Sequence, residues 1–299
     1  MPHPAVPDRA RERLQPLLVV GVLAVASIVI AFLGATPARV SATELLGDPR
    51  MPGDAAFIAS HRGGSATAPE NTLPAITAAL EGGIGYVEVD VALTADGHAV
   101  LMHDAKVDRT TNGTGRLQEL TLAQVRTLDA GSWFDPSFAG TTVPTFVEFL
   151  DTLAASGGRA IIELKGVWDA AAIDAALADV VARGLEREIA VASFDARTLA
   201  LWAAETEVVS RLLILKHVPD DVVAAAEQAG VEGVIVKRDE VLERPAIVDE
   251  LHAAGIRVVV YTLNRDTQWD AVTALGVDGI VTDDPHTLLQ WQSSSAGER

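Results

Sequence analysis

Two histidines, three carboxylates, an arginine and a lysine stand at the ends of short apolar runs in this chain. His61 and Arg62 close Phe57-Ile58-Ala59-Ser60. Glu88 and Asp90 alternate with valine in Val87-Glu88-Val89-Asp90. His103 closes Val100-Leu101-Met102, and Glu163 and Lys165 close the run that begins Ile161-Ile162. Runs this apolar read as buried strands, and strands rarely end on ionisable groups unless those groups converge. A spacing of two puts Glu88 with Asp90, and Glu163 with Lys165, on one face of their strands. Three converging carboxylates repel and raise one another's pKa, which a divalent cation relieves. Oxygen-only ligation suits Ca2+ or Mg2+. Zinc is disfavoured because the chain has no cysteine and no close-spaced histidine pair. His61 and His103, on different segments, can serve as base and acid from two sides of a substrate. Arg62 and Lys165 supply positive charge for a phosphate, arginine through its fork and lysine as a point charge. Together these residues suit metal-assisted attack on a phosphate ester. Any one pair alone reads better as a solvated strand end; their common position is what favours a site.

Candidate strands fall near 57–60, 86–91, 98–103, 159–164, 189–194, 211–215, 233–236, 257–262 and 279–282. Between many of them lies an alanine-rich helical stretch ended by glycine, as before Val231, Ile256 and Val277. Alternating strand and helix predicts a parallel sheet with right-handed crossovers. Asp96-Gly97 is a hairpin signal, so 98–103 should run antiparallel to the strand before it. Setting that strand aside leaves the eight parallel strands of a closed (β/α)8 TIM barrel, with the C-terminal strand ends lining the mouth. Residues 94–144 then form an insertion after the second strand. Pro69-Glu70-Asn71-Thr72 leads into the first barrel helix, with Thr72 at the N-cap and Pro74 in the first turn. Glu70 and Asn71 are added as further polar contacts at the mouth. Lys216 and Lys237 also end strands and read as solvated. Trp133 and Phe134 either wall the site or pack the insertion down.

In order along the chain, the motifs resemble those of the glycerophosphodiester phosphodiesterase family. The resemblance is carried by His61-Arg62-Gly63, Pro69-Glu70-Asn71-Thr72, Glu88-Val89-Asp90, His103-Asp104, Asp108 to Gly115, Leu128 to Phe134, Glu163-Leu164-Lys165, Ser193-Phe194-Asp195, Tyr261 to Asn264 and Gly276 to Pro285. It spans roughly residues 56–290, and the ordered set is specific where single motifs are not. The resemblance implies a (β/α)8 barrel that hydrolyses glycerophosphodiesters to glycerol 3-phosphate and an alcohol. It implies His61 and His103 as the acid–base pair, Glu88, Asp90 and Glu163 around the metal, and Arg62 and Lys165 on the phosphate. Tyr261 stands where family members often carry tryptophan, which bears on substrate fit. Two rival readings are a phospholipase-D-like enzyme acting on lysophospholipids or sphingolipids, and a non-catalytic surface-binding barrel; the complete residue set argues against the latter.

The chain of 299 residues carries a net charge of −18. Such a surface repels nucleic acid, so a polyanion-binding role is disfavoured. The resemblance implies a small-molecule glycerophosphodiester as partner, and no obligate protein partner is expected. From Leu17 to Leu33 there is no charged residue, and Arg9, Arg11 and Arg13 precede the run. Residues 14–35 therefore read as an uncleaved transmembrane signal anchor, with residues 1–13 cytoplasmic and the remainder outside. Cleavage near Val40-Ser41-Ala42, which would release a secreted protein, is less favoured because the apolar core is long for a signal peptide. Residues 36–55 read as a linker, 56–292 as the catalytic barrel and 293–299 as a disordered tail.

Overall fold

A computed structural model describes residues 42–297. The expected stub 1–13 and anchor 14–35 lie outside the described residues, among which no helix is long and apolar enough to cross a membrane. The strands are β1 (Phe57–Ser60), β2 (Tyr86–Leu93), β3 (Ala99–Leu101), β4 (Arg159–Leu164), β5 (Ile189–Ser193), β6 (Ser210–Leu215), β7 (Gly233–Lys237), β8 (Arg257–Tyr261) and β9 (Gly279–Thr282). All but β3 run parallel, in the order β1-β9-β8-β7-β6-β5-β4-β2, and pairing of β1 with β2 closes the barrel.

Strand alternation divides the apolar residues into two layers. Val87, Val89 and Val91 of β2 face outward into the core beneath the helices. Tyr86 of the same strand faces inward, with Ile161, Ala192, Ile214, Ile235 and Val281 from other strands. Glu88 and Asp90 share the inward parity of Tyr86, so the strand that builds the core also aims both carboxylates into the barrel.

The expected hairpin is present: β3 pairs antiparallel with β2, Val91 opposite Leu101 and Leu93 opposite Ala99. It brings the chain back down from the rim, and the Met102 N–H donates to the Asp90 carbonyl at 2.9 Å. The insertion has its own small core of Val100, Met102, Val107, Leu117, Val125, Ala130 and Val143. Its helix, Leu122–Val125, starts in a reciprocal capping box between Thr121 and Gln124.

Two expected boundaries shift. Within the stretch read as linker, Ala42–Leu46 forms a helix, α1, that closes the barrel's lower end. Leu45 and Leu46 are buried in the barrel interior. The Leu45 carbonyl accepts from the Tyr86 hydroxyl and from Arg159, and the Gly47 carbonyl accepts from Arg257. Tyr86, Arg159 and Arg257 each begin a strand, so α1 covers the end opposite the mouth. The segment is too short for a periodic apolar pattern, which is why composition alone suggested a linker. Leu45→Ala is expected to destabilise the domain by about 2–5 kcal/mol; an unchanged urea midpoint would show that α1 is not part of the cooperative unit. The second shift is at the tail, where the last helix continues to Gly297. Ser293 and Ser294 donate back to the Leu289 and Trp291 carbonyls, so both hydroxyls are satisfied within the helix.

Candidate active site

The site begins where β1 ends. Arg62 (φ 54°) and Asn71 (φ 54°) are the positive-φ residues other than glycine among those described. Left-handed backbone at such residues persists only where surroundings hold it. Here the Arg62 N–H donates to Glu88 Oε2 at 2.9 Å, and its carbonyl accepts from the Asn71 N–H at 2.8 Å. Asn71 is buried, and its amide clasps Asp90 twice: Nδ2 donates to Oδ2 at 2.9 Å, and Oδ1 accepts from the Asp90 N–H at 3.0 Å. Asn71, expected as a contact at the mouth, therefore holds a carboxylate. Thr72 takes the N-cap position of α2 (Leu73–Glu81), but its hydroxyl donates to the Pro69 carbonyl at 2.6 Å instead of capping the helix.

Glu88, Asp90 and Glu163 come together, one oxygen from each lying within 4.8 Å of the others. Register explains this, since Asp90 pairs with Glu163 across β2 and β4. Burial and the neighbouring Asp90 push the Glu88 carboxyl up to about 8. The same two causes raise Glu163. Burial also acts on Asp90, but Lys165 and Arg62 outweigh it and hold its carboxyl below the usual range. Lys165 Nζ lies 3.1 Å from Asp90 and 2.6 Å from Glu163. Arg62 Nη1 donates to Glu70 at 2.7 Å, and its Nε lies 3.3 Å from Asp90. Two cations thus face three clustered carboxylates, two of which are driven toward protonation. An all-oxygen set in that state fits a hard divalent cation, which would displace protons the buried carboxyls otherwise keep.

The histidines sit on opposite supports. His61 Nδ1 lies 2.6 Å from Asp283 Oδ1, and Asp283 also accepts from Ser65 and from Asn264 Nδ2. Burial disfavours the imidazolium of His61, yet the bond to Asp283 and the charge of Glu88 outweigh it and raise its pKa. His103, just past β3, places Nδ1 2.6 Å from Asp104. Burial dominates there and lowers the His103 pKa despite Asp90 and Asp104. One cavity at the mouth is lined by His61, Glu88, Glu163 and Tyr261 over aliphatic side chains of the barrel. A neighbouring one is lined by Glu70, Asn71, His103 and residues of the insertion. The ten candidate site residues of the sequence therefore fall in this region or contact it directly.

The sequence motifs contain the supports, Asp283 and Asn264 behind His61 and Asp104 and Arg109 beside His103, but motif membership alone gave them no role. Asp283 directly follows β9, so the strand-end criterion that found Glu163 applied to it as well. Phe194, after β5, has the ammonium groups of Lys165 and Lys216 5.9 and 5.4 Å from its ring centroid. Trp133 bonds its indole N–H to the Ala130 carbonyl and stacks edge-on against Phe134, so both pack within the insertion.

Residues 61–287 match the glycerophosphoryl diester phosphodiesterase family. A glycerophosphodiester phosphodiesterase of Caldanaerobacter subterraneus subsp. tengcongensis is 31% identical over 245 residues, covering 78% of this chain and 96% of the relative. The structure of an Oleispira antarctica phosphodiesterase in complex with the product sn-glycerol-3-phosphate is similar with a TM-score of 0.72 at 27% identity, covering 79% of this chain and 96% of that one. That of a glycerophosphodiester phosphodiesterase from Agrobacterium tumefaciens gives 0.68 at 30% identity, covering 79% and 100%.

Proposed function

Because this chain belongs to the glycerophosphoryl diester phosphodiesterase family, a family of phosphoric diester hydrolases, we propose that it cleaves glycerophosphodiesters to glycerol 3-phosphate and an alcohol with one divalent cation, Ca2+ or Mg2+. The observation that carries this reading is the cluster of Glu88, Asp90 and Glu163 in a mouth that also holds His61 and Tyr261. Those three carboxylates would hold the cation, which when bound supplies positive charge for a non-bridging phosphate oxygen. Arg62 and Lys165 add to that charge. His103, whose partner Asp104 is itself gripped by Arg109, stays neutral and takes the proton of the attacking hydroxyl. His61, buried against Asp283, carries the proton that goes to the leaving alcohol oxygen as the P–O bond breaks. The attacking hydroxyl belongs either to water or to the substrate's own glycerol, with water then opening a cyclic phosphate; both routes need the same acid and base.

The deciding experiment follows release of choline by the full-length protein, with glycerol 3-phosphate as the co-product from glycerophosphocholine and a lysophosphatidate as the co-product from a lysolipid. Glycerophosphocholine and lysophosphatidylcholine are compared, each with EDTA and with Ca2+ or Mg2+ restored. Cation-dependent release from glycerophosphocholine is expected. A strong preference for the lysolipid would move the substrate to lysophospholipids, and no turnover of either would favour a non-catalytic barrel. The apolar run at residues 14–35 and the arginines before it support a single-pass anchor with the catalytic domain outside the cytoplasm. Retention in membranes after carbonate extraction, with cleavage by protease added to intact cells, is the expected result. Extraction into the soluble fraction, or full protection, would overturn that placement.

A further inference from the structure

Arg109 belongs to the insertion, yet its guanidinium bridges two carboxylates from different parts of the fold. Its Nε donates to Asp104 Oδ2 at 2.7 Å and its Nη2 to Asp104 Oδ1 at 3.1 Å. On the other side, Nη1 donates to Glu70 Oε2 at 2.7 Å and Nη2 to Glu70 Oε1 at 2.8 Å. Glu70, in the loop before the first barrel helix, is bonded in turn to Arg62. An exposed ion pair usually matters little. This one is a fork engaged on both sides, a geometry that fixes the plane of each carboxylate as well as its charge.

The consequence lies one bond further on. An ionised aspartate only accepts, so the 2.6 Å contact between Asp104 Oδ1 and His103 Nδ1 requires the proton on Nδ1. That leaves Nε2 as the basic nitrogen. Were Asp104 free to rotate, the ring would lose both its orientation and its tautomer. We propose that Arg109 is a positioning residue for catalysis: it clamps Asp104 against the barrel through Glu70, and Asp104 in turn holds His103 in the Nδ1–H form with Nε2 free to accept a proton. Arg109 is not a phosphate ligand in this scheme, because its fork is already turned to carboxylates. The proposal rests on His103 as the base.

The test uses the full-length protein with Arg109→Met and Arg109→Lys, assayed on glycerophosphocholine, and 15N NMR of labelled histidine to read the His103 tautomer. For Arg109→Met, kcat should fall about 10- to 100-fold with KM changed less than about threefold, as for a displaced catalytic group. The His103 signals should pass from one tautomer to a mixture. Arg109→Lys keeps the charge but not the fork and should restore neither readout. Three results would each overturn the proposal: kcat within about threefold of the parent, a loss confined to KM, or an unchanged tautomer. Full activity of His103→Ala would remove the acid–base reading instead, and the tautomer measurement on the resting protein still judges Arg109 separately.

Discussion

Replacing His103 by alanine is expected to lower kcat on glycerophosphocholine by about 10²- to 10⁴-fold while leaving the fold intact. The side chain is 32% exposed and lies outside the apolar clusters, so its removal opens no core cavity. His61→Ala should cost a comparable factor on the same substrate, and Asp283 keeps its bonds from Ser65 and Asn264. The two variants should separate on a diester whose alcohol is an acidic phenol. Such a leaving group departs without being protonated, so loss of the general acid matters less while loss of the base matters as before. His61→Ala should therefore recover much of its activity on the phenolic diester, and His103→Ala should not. The opposite pattern would exchange the two roles. Near-normal turnover of glycerophosphocholine by either variant would remove that residue from the pair.

Chelation by EDTA is expected to abolish turnover, with restoration by Ca2+ or Mg2+. Glu88→Gln should raise the half-activating cation concentration at least about tenfold. The pH dependence follows from burial and Asp90, which push the Glu88 carboxyl up to about 8. At pH 6 the cation-free site holds a proton that the incoming ion must displace, and the competition fades as pH approaches that value. Apparent cation affinity should thus rise between pH 6 and 8 and level off above. A cation at 100 times its dissociation constant stabilises the folded state by about 2.7 kcal/mol, which gives a melting-temperature readout independent of activity. Affinity that is flat across this pH range, or a melting shift undiminished in Glu88→Gln, would argue against Glu88 as a ligand.

How much could be read from the sequence depended on how local the signal was. The barrel was legible because several parallel strands, buried on both faces, are short runs of β-branched residues behind a helix-ending glycine. Asp96-Gly97 marked the one strand that breaks the pattern. Convergence of Glu88, Asp90 and Glu163 was legible because parity and strand ends fix where side chains point. The partners were not, because pairing across the fold leaves no spacing to read: Asp283 meets His61, and Arg109 meets Glu70, from distant parts of the chain. Asn71 was found by its motif, but only register shows that its amide is spent on Asp90. The stretch from Ala42 to Leu46 was misjudged because its burial depends on a cavity built by residues far downstream.

That short helix also sets where the independent folding unit starts. The family match begins at residue 61, and β1 at Phe57. A soluble fragment trimmed to either point would leave an open hole at the base of the barrel. It would also leave the Tyr86 hydroxyl without the Leu45 carbonyl and the Arg257 Nε without that of Gly47. The smallest piece able to carry the chemistry therefore extends upstream of Thr43, whose hydroxyl accepts from Arg257 at 2.9 Å. Domain boundaries drawn by sequence likeness and by packing differ here, and a purified fragment should follow the packing.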